Sequence, residues 1–272
     1  MTASRTMLAC LVLAAGCGQT GGKLIEVGFS AGGLQRPARG PLTFDACAGL
    51  GPSCPARGWK ITLQTARIAL GPFYFNLNPP PTTEFRGGTV NMEATAQVVL
   101  DALDPALRTV PGGARGETGT SVSVEIGLLA PDAQALPADR QLLGTGFGRV
   151  AGTATNGVIT VPFAGPLVIN PSQVSQRNPL VALQRVKGAD INLPFAPETS
   201  AVELRVDPTH WFDAALFEGL ATGTQVDGAY TWQVNNCRGG DAAYDPGRCA
   251  FQNALVAGVQ GNSGVYDFRV TP

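Results

Sequence analysis

Residues Trp59–Leu70 read WKITLQTARIAL, and their apolar side chains change phase partway along. Trp59, Ile61 and Leu63 alternate with Lys60, Thr62 and Gln64, after which the apolar positions become Ala66, Ile68 and Leu70. Alternation with a period of two places one set of side chains on one face of a strand. A slip of one residue exchanges the faces, so the spacing predicts a bulge or local twist at Gln64–Thr65.

The same rhythm recurs outward from this segment. Ile25, Val27 and Phe29 alternate before it, as do Val122, Val124 and Ile126 after it, and Val202, Leu204 and Val206 are interleaved with Glu203, Arg205 and Asp207. Phe73 and Phe75 take one side of a short strand with Tyr74 opposite, ahead of Pro79–Pro81, and apolar runs surround Phe163 between Val158 and Ile169. Helical spacing is confined to the C-terminal quarter. Asp207–Pro208 has the form of an N-cap followed by proline at the first helical position, with Phe212, Ala215, Leu216, Gly219 and Leu220 on one face. A second helix is expected from about Cys249 to Gly258 with Phe251, Leu255 and Val259 as its stripe, leading to a last strand over Gly264–Val270.

Segments 104–120, 130–141 and 170–180 are turn-rich and are expected as surface loops. Gly 35 and Pro 21 make up about a fifth of the 272 residues, and charged residues only 14%, against ordinary values of about 12% and about 25%. That composition argues against a helical bundle, while 44% hydrophobic residues suffice for a sizeable core. No linker-like break divides the chain after its N-terminal segment. The expectation is an all-β protein: a single β-sandwich-like domain over 23–272 with two short C-terminal helices. A net charge of -1 gives no electrostatic footprint for nucleic acid, and no glycine-rich phosphate loop with its lysine is present.

The N-terminus carries a different signal. Arg5 precedes MLACLVLAAG (7–16), an apolar run too short to span a bilayer of about 30 Å as a helix, which reads as a cleavable export signal. The following Leu13-Ala14-Ala15-Gly16-Cys17 resembles the lipobox of bacterial lipoproteins, with Leu13 one place earlier than the family's usual leucine. The resemblance implies removal of residues 1–16, acyl chains on Cys17, and a lipidated tether over 17–22. Gly18 and Gln19, in place of acidic residues, imply within that family onward transport to the outer membrane. Several acyl chains hold a protein on a membrane where one binds only marginally, so Cys17 would serve as the whole anchor.

Cys10 lies in the signal and Cys17 takes the lipid, which leaves Cys47, Cys54, Cys237 and Cys249 in an exported, oxidising setting. Two disulfides follow. Of the three connectivities, the local pairs Cys47–Cys54 and Cys237–Cys249 are favoured because AGLGPS and RGGDAAYDPGR look like loops that need closing. Neither pair has the spacing of a zinc site.

Three sites come into question. Gly28-Phe29-Ser30-Ala31-Gly32 matches the G-x-S-x-G nucleophile elbow, with His210, the single histidine, as the available base. Arg36-Pro37 interrupts the helix that should follow an elbow, so a turn after the first strand is the plainer expectation for Ser30, and local packing for His210. Tyr230, Trp232, Asp241, Tyr244 and Asp245 flank or occupy the second cysteine loop and are the candidate binding loop, since loops on rigid sandwiches often carry recognition. Asp241 and Asp245, beside Asn235 and Asn236, offer calcium-type oxygens at a spacing that matches no EF-hand, and no metal or cofactor is expected. The function expected is non-enzymatic: an outer-membrane lipoprotein that binds or scaffolds an envelope protein or an extracellular ligand. The alternatives are a surface-tethered serine hydrolase using Ser30 and His210, and a purely structural envelope component.

Overall fold

In the computed structural model, the described residues are 22–78, 88–170, 174, 180–232, 237, 245–261 and 264–272. Alternation becomes strand where it was expected. The first strand, β1 (Leu24–Gly33), buries Ile25, Val27, Phe29 and Ala31 and turns Leu24, Glu26 and Gly28 outward. It is followed by β2 (Leu42–Asp45) and by β3 (Lys60–Leu70), which holds the phase slip. Opposite β3 runs β10 (Gly148–Thr155), and the register jumps from Ala151↔Thr65 to Gly152↔Leu63, leaving Gln64 as the extra residue of a bulge. The slip read from the sequence is thus a physical insertion, and it lets Leu63 and Ala66 both reach the core.

Between β3 and β10 lie β4 (Phe73–Asn76), β5 (Val90–Ala94), β6 (Val98–Asp101), β7 (Arg108–Thr109), β8 (Ala114–Glu117), β9 (Gly119–Gly127) and the helix α1 (Pro137–Leu143). After β10 come β11 (Thr160–Leu167), α2 (Leu180–Leu183), β12 (Arg185–Phe195), β13 (Ala201–Val206), a 3-10 turn (Pro208–Phe212), α3 (Phe217–Ala221), β14 (Gln225–Val226), β15 (Ala229–Tyr230), α4 (Pro246–Val259) and β16 (Tyr266–Thr271). One sheet has the order β12-β9-β4-β5-β8-β1-β13-β16 with β7 also on β1; the other has β14-β15-β11-β10-β3-β2 with β6 also on β3. The chain is a β-sandwich with its helices concentrated toward the C-terminus.

One contiguous core lies between the layers. From the first sheet, Phe29, Phe73, Phe75, Phe195 and Phe268 meet edge to face. From the second, Phe163 meets Phe212, Phe217 and Trp232, and so ties the sheet to the helices. Rings at these offsets add roughly 0.5–1.5 kcal/mol per pair beyond the area they bury. Gly165 makes the contact possible, since a Cβ there would lie 2.9 Å from the Trp232 ring.

Three expectations need correction. The segment 104–120 is not a loop: it supplies β7, β8 and the start of β9, and β8 lies between β1 and β5. Its sequence, ARGE, hides this because only Ala114 is buried while the outer face stays wet. Within 130–141, helix α1 begins at Pro137, and its buried Asp139 pairs with Arg67 at 2.7 Å. Apart from residues 170, 174 and 180, segment 170–180 lies outside the described residues.

The helix expected from Pro208 to Leu220 is two pieces. Its start is as read, with Asp207 accepting the backbone N–H of Thr209 at 2.9 Å. It breaks because the Asp213 carbonyl accepts from Ala56 N at 3.2 Å instead of continuing the helical ladder. The buried face changes accordingly: Phe217 is enclosed and Leu216 is 43% exposed. The helix α4 extends beyond its expected start, with Asp245 as N-cap accepting from Arg248 N at 3.0 Å and Pro246 at the first position.

Candidate functional site

Ser30 is not at a turn. It lies inside β1, in register with Glu203 of β13 and Thr109 of β7, half-buried on the face opposite Phe29 and Ala31. A nucleophile elbow needs the serine at a sharp strand-to-helix turn, and this serine sits in a continuous strand. Among the described residues, Ser30 and His210 share no hydrogen bond.

His210 has a different partner. Its Nδ1 lies 2.8 Å from Asp213 Oδ2, and because a carboxylate only accepts, Nδ1 carries the proton. The opposite ring edge packs against Gly264, where a Cβ would stand 3.1 Å from Nε2. The other Asp213 oxygen accepts the backbone N–H of Cys47 at 2.9 Å. Both favoured disulfides are formed, Cys47–Cys54 and Cys237–Cys249. The Asp213 carbonyl oxygen touches Cys54 Sγ at 3.1 Å, so one aspartate braces the first cysteine loop through side chain and backbone together. Cys47, Cys54 and Asp213 bring potential metal-ligand atoms within 4.8 Å of one another, but the sulfurs are bonded to each other and are not thiolates.

The second cysteine loop is described only at its margins. Trp232 is fully buried between Phe163 and Phe251, and its indole N–H donates to the Pro166 carbonyl at 2.9 Å, so its ring belongs to the core. Tyr230 is half-buried on β15, next to a two-residue hairpin turn at Asp227–Gly228 in which both residues have positive φ. Asp245 is occupied as the cap of α4. Asp241 and Tyr244 lie outside the described residues, as does Cys17.

A cleft that sequence reading missed opens at the other end of β1. It has a volume of about 550 Å³ and lies where β5 and β8, paired only at Met92↔Gly116 and Glu93↔Arg115, diverge. Leu24, Leu77 and Val90 form an apolar rim, and they are 73%, 37% and 45% exposed. Deeper in are buried Met92 and Asn91, the latter accepting from Ser121 Oγ at 2.7 Å. Arg115 and Glu93 face each other at 3.5 Å on the outer side. The signal in the sequence was small: Leu24 shares the outward phase of Glu26 in an otherwise regular alternation.

No protein-family model, curated protein or solved structure matches the chain. Among the described residues, no helix is long and apolar enough to cross a membrane. The chemistry of the chain therefore rests on its own residues, and these separate into two ends. At the start of β1, Lys23 and Thr118 exchange hydrogen bonds next to the cleft. Beyond its far end, about 30 Å away for ten extended residues, β13 runs parallel into the 3-10 turn and the Asp213 brace.

Proposed function

We propose that the chain is a lipid-anchored protein of the cell envelope, held through Cys17 on the outer membrane, and that it acts by non-catalytic binding of an envelope protein or an extracellular ligand. The observation that carries this reading is the polarity of the domain. The tether joins beside Leu24, whereas the rigidly braced Cys47–Cys54 loop lies beyond the opposite end of β1, turned away from the anchor. Two closed disulfides agree with an oxidising compartment.

The first cysteine loop has the properties of a recognition element. It is short, closed by a covalent bond and fixed by Asp213, while Leu50 at its tip is 46% exposed. A loop held this way loses little conformational entropy when it binds. His210 and Asp213 serve it as supports.

Site-specific photo-cross-linking tests the reading. A benzophenone side chain in place of Leu50, in the native lipoprotein in its own membrane, is expected to capture one reproducible, stoichiometric neighbour. Ester hydrolysis by the purified protein that disappears in Ser30→Ala would overturn it in favour of the hydrolase.

A further inference from the structure

We propose that the apolar rim of the cleft, Leu24, Leu77 and Val90, is a membrane-contacting surface that sits in the headgroup–acyl boundary of the bilayer to which Cys17 is anchored. The inference rests on the lipid-anchor reading and extends it from a tether to an orientation of the whole domain.

Chain length keeps the contact within reach. Leu24 is seven residues from Cys17, so even a fully extended tether separates them by at most about 25 Å, and any slack brings them closer. The composition of the rim suits that position. Three branched aliphatic side chains from three separate segments of the chain converge on one opening and remain exposed there. In β1 the outward phase continues with Glu26 and Gly28, so the apolar exposure is confined to the end next to the tether. Lys23 and Arg115 stand at the same end together with Glu26, Glu93 and Glu117, and Arg115 pairs with Glu93 at 3.5 Å, so the charges there are mixed and the apolar rim is what distinguishes this end. Interfacial segments bury their apolar side chains some 5–10 Å deep, a depth that exposed rim residues reach without any change in the sandwich, roughly the span of one or two side chains.

The geometry fixes which surfaces stay out of the membrane. The hairpin tip carrying Val158, 89% exposed, follows Thr155, which is in register with Lys60 and through it with Asp45, at the entrance to the braced cysteine loop. An apolar residue there belongs to the end facing away from the bilayer.

Tryptophan fluorescence in vesicles tests the proposal with the full lipidated protein. The native Trp59, Trp211 and Trp232 are buried, so they give a constant background. Leu24→Trp, Val90→Trp and Val158→Trp variants are purified as lipoproteins and reconstituted into vesicles of phosphatidylethanolamine and phosphatidylglycerol, with and without brominated chains. The expected result is a blue-shifted emission from the indoles introduced at positions 24 and 90 that falls at least twofold with brominated lipid, and no quenching at position 158. Absence of quenching at positions 24 and 90 in protein whose Cys17 peptide carries acyl chains would overturn the proposal and leave the anchor reading intact. A Cys17 peptide without lipid would overturn both. A blue shift that depends on protein concentration in detergent, without quenching by lipid, would assign the rim to a second copy of the chain and overturn the membrane contact.

Discussion

His210 donates through Nδ1 to Asp213 at 2.8 Å, and the same carboxylate receives the Cys47 N–H, so a single side chain couples the 3-10 turn to the first disulfide loop. A His–Asp pair of the kind found in catalytic triads is here also bonded to the backbone of the Cys47 loop. Hydrogen bonds to a charged group contribute about 1.5–3 kcal/mol each, more than neutral ones. Asp213→Ala is expected to lower the unfolding free energy by about 2 kcal/mol, and Asp213→Asn, which keeps an acceptor for Cys47, by about half as much. Urea denaturation of the two variants checks the order.

Opening the disulfides separates two contributions. Closing loops with sequence separations of 7 and 12 gives about 2.5 and about 3 kcal/mol in the chain-entropy treatment. Cys47→Ser/Cys54→Ser and Cys237→Ser/Cys249→Ser should each lose about that much by denaturant titration. Both losses should disappear against a wild-type reference measured under full reduction.

Tyr266 predicts the response to alkali. Its hydroxyl donates to the Val259 carbonyl at 2.8 Å, and burial raises its pKa far above the ordinary tyrosine range. The folded state therefore keeps the proton while the unfolded chain releases it above about pH 10. Stability from this group is complete below that pH and is lost as pH rises above it, by up to about 1.4 kcal/mol per pH unit. Tyr266→Phe should be less stable than wild type by about 1 kcal/mol at neutral pH and should show a shallower decline above about pH 10, measured by chemical denaturation.

Gly116 tests the packing beneath the cleft. A Cβ at this position would overlap the Asn91 carbonyl and stand 2.7 Å from Met92 Cα, both of them backbone. Gly116→Ala should cost about 2 kcal/mol and loosen the β5–β8 pairing, seen as faster amide exchange at Met92 and Glu93. At Gly157, where φ is +84° with open space around it, alanine should cost only about 1 kcal/mol.

How far the sequence could be read depended on how each residue is used. The alternations in β1, β3 and β13 were legible because one face is buried and the other wet, and even the bulge at Gln64 left its mark as a slip of phase. The strand β8 was not, since its register comes from β1 and β5 on either side and only one of its four residues is buried. The break after Phe212 was hidden for a related reason: it is made by Ala56, distant in sequence, taking the carbonyl that a helix would have used. Local disulfides could be chosen from loop composition, and both formed as expected. The match around Ser30 was uninformative because G-x-S-x-G specifies residue types and says nothing of the turn on which its chemistry depends. The cleft was invisible because Leu24, Leu77 and Val90 belong to three segments that only the sheet brings together.

The proposed function requires export, lipidation and oxidation of one chain, and the mass of the native protein before and after reduction tests all three at once. The expected result is a product lacking residues 1–16, with acyl groups on Cys17 and with Cys47, Cys54, Cys237 and Cys249 gaining hydrogen only after reductant is added. A product that retains Met1 and carries free thiols at those four positions would contradict it.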